Sequence, residues 1–152
     1  MDFKDLIKQI DDVVVDVSVK DKFDLFNKIS QFVGAKINVS YDIIYDLLRE
    51  RELLGSTAIG NGFALPHLKL KGIKPYICVF VLKTPIDFDS VDNVAVSVVF
   101  AVLSPSDKPS LQLKTLTSLA RMLKKLYADF FLDKSPDEIK NYLKIFEEDE
   151  KN

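Results

Sequence analysis

Two stretches in the middle of the chain, Tyr76 to Leu82 (YICVFVL) and Val94 to Leu103 (VAVSVVFAVL), set the strongest limit on how it can fold. Both are dense in β-branched and aromatic residues, and polar residues hardly interrupt them. A strand with one wet face alternates apolar and polar residues, whereas a strand covered on both faces does not. These segments therefore predict central strands of a sheet, with Pro85 and Pro105 just beyond their ends. Val13 to Val17 predicts a shorter third strand.

The covering layers come from helical patterns on either side. Phe23, Phe26, Ile29 and Val33 recur at spacings of three and four, which predicts a helix from Asp21 to Val33 with Gly34 as its stop. Ser40 is placed to cap a second helix, whose apolar face is Ile43, Ile44, Leu47 and Leu48 and which runs through Arg51 towards Gly55. After Pro109, Leu113, Leu116, Leu119, Ala120 and Leu123 mark a long third helix. Ser135-Pro136-Asp137-Glu138 is a capping box with proline at the first helical position, followed by the stripe Ile139, Tyr142, Leu143 and Phe146. The last residues, EEDEKN, read as a solvated acidic tail over 145–152. No repeat, low-complexity stretch or linker divides the chain, so 1–152 is expected to be one domain, an α/β sandwich with a short mixed sheet flanked by helices.

Composition narrows the chemistry. Lysine and arginine (21) nearly cancel aspartate and glutamate (23), which argues against nucleic-acid binding driven by phosphate neutralisation. One cysteine, Cys78, and one histidine, His67, exclude a disulfide framework and any metal site built from several Cys and His ligands. Cys78 sits mid-strand and reads as a small core residue. The start, MDFKDLIKQIDD, has acids where a secretion signal is basic and apolar, and no segment reaches the roughly eighteen apolar residues of a membrane span. The expected location is the cytoplasm, without membrane insertion.

Three of the five glycines, Gly55, Gly60 and Gly62, fall within GSTAIGNGFALPH, which ends in Pro66-His67. Glycines this close together mean a backbone with unusual dihedrals or one that another molecule approaches. On residues alone two readings stand: glycine turns joining two short strands beside an idle histidine, or a ligand loop beside a reactive one. Familiar phosphate and calcium motifs do not match. Leu65 stands where a dinucleotide loop has its third glycine, and no GxxxxGK[ST] string is present. The run DFDSVDN has Asp92 in place of the turn glycine of a calcium loop and Val98 in place of its final glutamate, so it reads as a solvated connection between strands.

Taken as whole strings, RELLGSTAIGNGFALPHLKL, TPIDFDSVDN and LQLKTLTSLARML resemble the enzyme IIA domain of the phosphoenolpyruvate-dependent phosphotransferase system, fructose/mannitol type, and most of all its nitrogen-regulatory branch. The resemblance runs from about Asp21 to Phe146 and is most specific between Arg51 and Leu123. It implies that His67 accepts a phosphoryl group from the histidine-containing phosphocarrier protein, itself charged by enzyme I, with no cofactor or metal. Family members use Nε2. A neutral imidazole has a lone pair for attack on phosphorus, so the residue suits the role. Arg51 aligns with the family's arginine near the phosphohistidine, and its planar fork of donors suits phosphate. The loop from Gly55 to Gly62, with Ser56, Thr57, Gly60 and Asn61, is expected to turn N–H groups and hydroxyls towards the phosphoryl oxygens, as a nest does.

The sequence departs from the family at one position. Many relatives carry a second histidine at the start of the helix after SPSDKPS, and here Gln112 stands there. Glutamine donates a hydrogen bond but carries no charge. Three functions follow from the resemblance: a stand-alone regulatory carrier whose phosphorylation state controls partner binding, a sugar-specific carrier passing phosphate to an enzyme IIB, or a binding module without phosphorylation. The lone IIA unit, the strings GSTAIGNG and TPIDFDSVDN, and Gln112 favour the first. Retention of both His67 and Arg51 disfavours the third.

Overall fold

The computed structural model describes residues 8–151, with side chains through Ile145. In chain order the elements are β1 (Ile10–Val17), α1 (Lys22–Ile37), α2 (Tyr41–Leu53), β2 (Ala58–Gly60), β3 (Phe63–Ala64), β4 (His67–Leu70), β5 (Tyr76–Ile86), β6 (Val96–Pro105), α3 (Pro109–Leu123), a 3-10 turn (Ala128–Phe131) and α4 (Pro136–Lys151). The sheet order is β1-β5-β6-β3-β2, with β4 also paired to β6. β5 and β6 are antiparallel, while β1 lies parallel to β5 and both β3 and β4 lie parallel to β6. The sheet is mixed and flanked by helices, as the two apolar stretches require.

Alternation along β5 explains why those stretches lack polar residues. Tyr76, Cys78, Phe80 and Leu82 face Leu25, Phe26, Ile29 and Val33 of α1 and Ile44 and Leu48 of α2. Ile77, Val79 and Val81 face the opposite way, onto Leu119, Met122 and Leu123 of α3 and Ile139 and Leu143 of α4. Both faces are buried, so both sets of positions are apolar. Each such side chain contributes about 1.5–3 kcal/mol on burial. In the α3/α4 layer Phe63, Phe100 and Phe131 meet edge to face at 5.5–6.4 Å, the arrangement their ring quadrupoles favour. Burial pushes the Cys78 thiol above its ordinary pKa, as befits a core residue.

Several boundaries differ from expectation. α1 passes through Gly34 and ends at Ile37, where Asn38 takes the left-handed conformation (φ 57°) and caps the helix through its N–H to the Gly34 carbonyl. Gly34 is a glycine for another reason: a Cβ there would lie 2.7 Å from the Val39 carbonyl oxygen. Ser40 occupies the N-cap of α2 but makes no side-chain capping bond, and Ile43 is exposed rather than part of the apolar face. β1 begins earlier, at Ile10, because the Asp11 carboxylate accepts the Ile77 N–H at 2.9 Å and Asp12 accepts the Tyr76 hydroxyl at 2.5 Å. β5 runs on through Pro85 to Ile86; its pairing with β6 skips between Val81 and Ile86, so the proline removes no ladder bond. Leu113, counted in the stripe of α3, points outwards and is 68% exposed.

The capping box of α4 forms as its sequence predicts, with Glu138 N–H donating to Ser135 Oγ at 3.1 Å and Ser135 N–H to Glu138 Oε1 at 3.0 Å. The backbone of α4 continues to Lys151, through the acidic run expected as a tail. The side chains of Phe146 and of that run lie outside the described residues. Among the described residues, no helix is long and apolar enough to cross a membrane.

Candidate functional site

His67 owes its position to an interruption. β3 and β4 lie along β6 in one register, Phe63 opposite Val98 and His67 opposite Val102, with Leu65-Pro66 between them. Proline has no N–H to give the ladder, but the Pro66 carbonyl still accepts the Val102 N–H at 3.0 Å. The strand therefore resumes without slipping, and His67 opens β4 half-buried beside the C-terminus of α2 and the flank of α3.

Two contacts define the imidazole. Nδ1 lies 2.8 Å from the Leu65 carbonyl oxygen. A carbonyl only accepts, so Nδ1 carries the hydrogen and donates it, which leaves the lone pair on Nε2. Arg51 Nε donates to that Nε2 at 3.2 Å. Arg51, in the last turn of α2, is itself held by Nη1 donating to the Gly55 carbonyl at 2.9 Å. The Leu65 carbonyl thus fixes the tautomer and leaves Nε2 unprotonated.

The same surroundings hold the His67 pKa below 6.5, chiefly because burial disfavours the charged ring. The Leu65 carbonyl opposes this, and the Arg51 guanidinium adds to it. Since the folded value lies below the unfolded one, the unfolded chain takes up the proton first. The stability contributed by neutral His67 is complete above about pH 6.5 and is lost as pH falls from there through the folded value. An NMR titration of the ring should give a midpoint below 6.5 with the Nδ1–H form above it; a midpoint at or above 6.5 contradicts the geometry.

Two open recesses flank the ring. One, of about 300 Å3, is lined by Arg51, Ser56, Thr57, Ile59, Leu65 and Leu116, among others. The other, of about 650 Å3, lies between Glu50 and Leu53 of α2, Leu54 just after it, Lys69 of β4 and Gln112 of α3. A further cavity of about 720 Å3 lies elsewhere, between the ends of β1 and β5 and the start of α4, and includes neither His67 nor Arg51.

Of the residues expected at the site, the fold brings Arg51, Ser56, Thr57 and Gln112 to His67 and carries Gly60 and Asn61 away. β2 and β3 form a tight hairpin whose two-residue turn is Asn61-Gly62, both left-handed (φ 58° and 86°), a conformation this pair favours. Asn61 is occupied there: its N–H donates to Asp92 Oδ2 at 2.9 Å and its Nδ2 to the Leu126 carbonyl at 3.2 Å. Several donors of the expected nest are already taken. Thr57 N–H and Oγ1 both go to the Glu52 carboxylate, and the Ala58 N–H goes to Ser56 Oγ. Ser56 Oγ in turn donates to the Phe88 carbonyl at 2.5 Å. The hydroxyls of Ser56 and Thr57 thus shape the loop, and Arg51 supplies the charged donor.

Beneath this loop lies a buried ion pair that sequence reasoning missed. Lys22 Nζ stands 3.1 Å from Glu52 Oε1, with only 11% and 2% of the two side chains exposed. The ammonium also sits 4.7 Å from the Phe88 ring centroid and 3.3 Å from Asp89. Phe88 itself is fully buried. The run DFDSVDN is therefore more than a solvated connection: it packs Phe88 into the core and uses Asp92 to pin the hairpin. Nothing in the one-dimensional pattern links Lys22 to Glu52, each of which reads as an ordinary charge near a helix end.

Gln112 is buried, and its Nε2 donates to the Leu68 carbonyl at 2.7 Å. This amide braces β4 directly after His67. In Gln112→His an imidazole replaces the brace and adds a group able to take positive charge beside the recess. Phosphorylation should survive, with the rate of phosphoryl gain or loss altered about five-fold, the difference between a neutral and a charge-assisted hydrogen bond. Stopped-flow rates identical to the parent in both directions would rule this out.

A histidine nitrogen with a free lone pair next to an arginine fork, set at the edge of a mixed sheet, suits the class of phosphohistidine carriers. Residues 7–145 match the family described as "Phosphoenolpyruvate-dependent sugar phosphotransferase system, EIIA 2", and the chain belongs to that family. Within it the similarity is to the nitrogen-regulatory branch. The chain is 33% identical over 141 residues to the nitrogen regulatory protein homolog of Haemophilus influenzae, a match covering 88% of this chain and 86% of that one. It is 41% identical over 97 residues to the nitrogen regulatory protein of Klebsiella oxytoca, covering 62% of this chain and 60% of that one. This second match thus spans less than two thirds of the relative's length. The fold aligns with the crystal structure of nitrogen regulatory protein IIA-Ntr from Neisseria meningitidis at a TM-score of 0.81 and 25% identity, covering 91% of this chain and 98% of that one.

Proposed function

We propose that the chain is a phosphohistidine carrier of the nitrogen-regulatory kind, charged on His67 Nε2 by the histidine-containing phosphocarrier protein. The observation that carries this reading is the polarised imidazole, with Nδ1–H donated to Leu65 and the Nε2 lone pair facing Arg51. In the step proposed, Nε2 attacks the phosphorus of the donor's phosphohistidine in line. The new N–P bond forms as the donor's N–P bond breaks, and its electron pair leaves with the donor ring. The proton on Nδ1 stays, and the Leu65 carbonyl supports the ring as it becomes cationic. Arg51 releases the lone pair and turns its N–H groups to the equatorial oxygens, where charge is concentrated. The phosphoryl group then places nearly two negative charges in the recess, enough to switch binding of a regulatory partner. A cytoplasmic location accompanies this reading.

Incubation with phosphoenolpyruvate, enzyme I and the phosphocarrier protein, followed by intact-mass analysis, should show one acid-labile phosphoryl adduct that is absent in His67→Ala. No adduct with a charged phosphocarrier present would overturn the reading in favour of a binding module. Prompt onward transfer to an enzyme IIB would favour the sugar-specific carrier over the regulatory one.

A further inference from the structure

The recess between α2 and β4 is divided by charge. One wall carries Glu50 and the other Lys69, with His67 and Arg51 at the head. Each charge begins a row. On the β4 side, His67 and Lys69 are alternate residues that share a face while Leu68 and Leu70 turn to the core, and Lys71 follows, exposed, in the turn beyond the strand. Lys71 then joins Lys74 and Lys108 around a second recess of about 390 Å3, whose only acid is Asp107. Lys108, at the N-cap of α3, precedes Gln112 by four residues, which makes the two recesses neighbours. On the α2 side, Asp42, Asp46 and Glu50 follow at intervals of four and all are exposed.

Neither row has an ion-pair partner among the described residues, and Arg49 stands exposed between Asp46 and Glu50 on the same helix. Among the described residues the ion pairs join Lys22 to Glu52 and Asp89, and Lys36 to Asp12, and include no member of either row. The α2 row extends about 12 Å, from the rise of a helix. The recess is rimmed by apolar side chains open to solvent: Leu53 is 66% exposed and Leu54 85%. Exposed leucines around a reactive group, bounded by unpaired charges of opposite sign, make an interface with an apolar centre and a charged rim. A nucleic acid would be repelled by the α2 row, so the chemistry fits a protein.

We propose that the phosphoryl donor docks across this recess with acidic residues facing β4 and basic residues facing α2, so that the two rows set its rotation over His67. The proposal rests on the carrier reading. Complementary rows act mainly on encounter and orientation, and rim charges change association rates by tenfold or more at low salt. The transfer step itself depends on Arg51 and His67 and should be untouched once the complex has formed.

The test measures phosphoryl transfer by rapid quench from the charged cognate phosphocarrier protein to the full chain. Lys71→Glu/Lys74→Glu and Asp42→Lys/Asp46→Lys are compared with the parent at low salt and at about 0.5 M salt, where screening shortens the reach of charge to a few ångströms. All four positions are exposed, and thermal unfolding checks that the variants fold. Each pair of reversals should lower kcat/KM about tenfold at low salt with kcat unchanged, and the deficit should vanish at high salt. Unchanged kcat/KM in either pair, or faster transfer when the lysines are reversed, overturns the divided face. Absence of any phosphorylation of the parent would instead overturn the carrier reading on which it stands.

Discussion

Replacing Glu52 with alanine is expected to lower the unfolding free energy by about 3–5 kcal/mol, the range for removing one partner of a buried ion pair. The size follows from what is left behind. Lys22, 11% exposed, would keep only the largely solvated Asp89 carboxylate at 3.3 Å as a counter-charge. Thr57 would lose the acceptor of both its N–H and its hydroxyl, at 2.8–3.1 Å, and those groups are buried too. Glu52→Gln keeps an oxygen for Thr57 while removing the charge, and should fall between the parent and the alanine variant. Urea unfolding of the three proteins decides it: a difference under about 1 kcal/mol for the alanine variant would mean the pair is not a keystone. Because Glu52 follows Arg51 and grips the loop that carries Ser56, loss of stability should be accompanied by slower phosphorylation even in the folded fraction.

Arg51→Met is expected to slow phosphoryl transfer to His67 by about 10²–10³-fold, the usual loss when one preorganised donor to a developing anion is removed. Methionine keeps much of the apolar stem, so the effect reads the guanidinium and not the packing. The same change should raise the His67 pKa towards 6.5, since the Arg51 charge is one of the influences holding it down. Arg51→Lys should recover little. One ammonium cannot reproduce the pair of directed bonds, Nε to His67 and Nη1 to Gly55, that lie in the plane of the guanidinium. Rapid-quench rates and an imidazole titration on each variant provide the check. Transfer within a few-fold of the parent in Arg51→Met would remove Arg51 from the reaction.

What the sequence discloses and what it hides follow from range. The central strands and the start of α4 are local statements: β-branched density marks β5 and β6, and Ser135 and Glu138 complete a motif within four residues. Gly34 misleads because a glycine near a helix end has two uses, a left-handed cap or room for a close neighbour, and only the position of Val39 tells them apart. The opening of β1 is hidden because Asp11 and Asp12 look solvated until Ile77 and Tyr76 are brought alongside. At the site, His67 and Arg51 are legible from the string that contains them, whereas the chosen nitrogen is not. Nor are the fates of Gly60 and Asn61, which depend on Asp92 and Leu126 arriving from elsewhere. The pairing of Lys22 with Glu52 belongs wholly to tertiary structure.

The unbroken register of β3 and β4 along β6 bears on how such a chain can change over time. Side chains on a strand alternate between faces, so adding or deleting a single residue between Gly62 and Leu70 would turn His67 into the core and Leu68 out to the surface. Pro66 interrupts the ladder, yet the segment has no slack to absorb a change in length. The turn at Gly72, where added atoms meet nothing within 4 Å, has that freedom. Length variation should therefore be purged from Gly62–Leu70 and accumulate around Gly72, and the spacing from the hairpin to the histidine should be as heritable as the histidine itself.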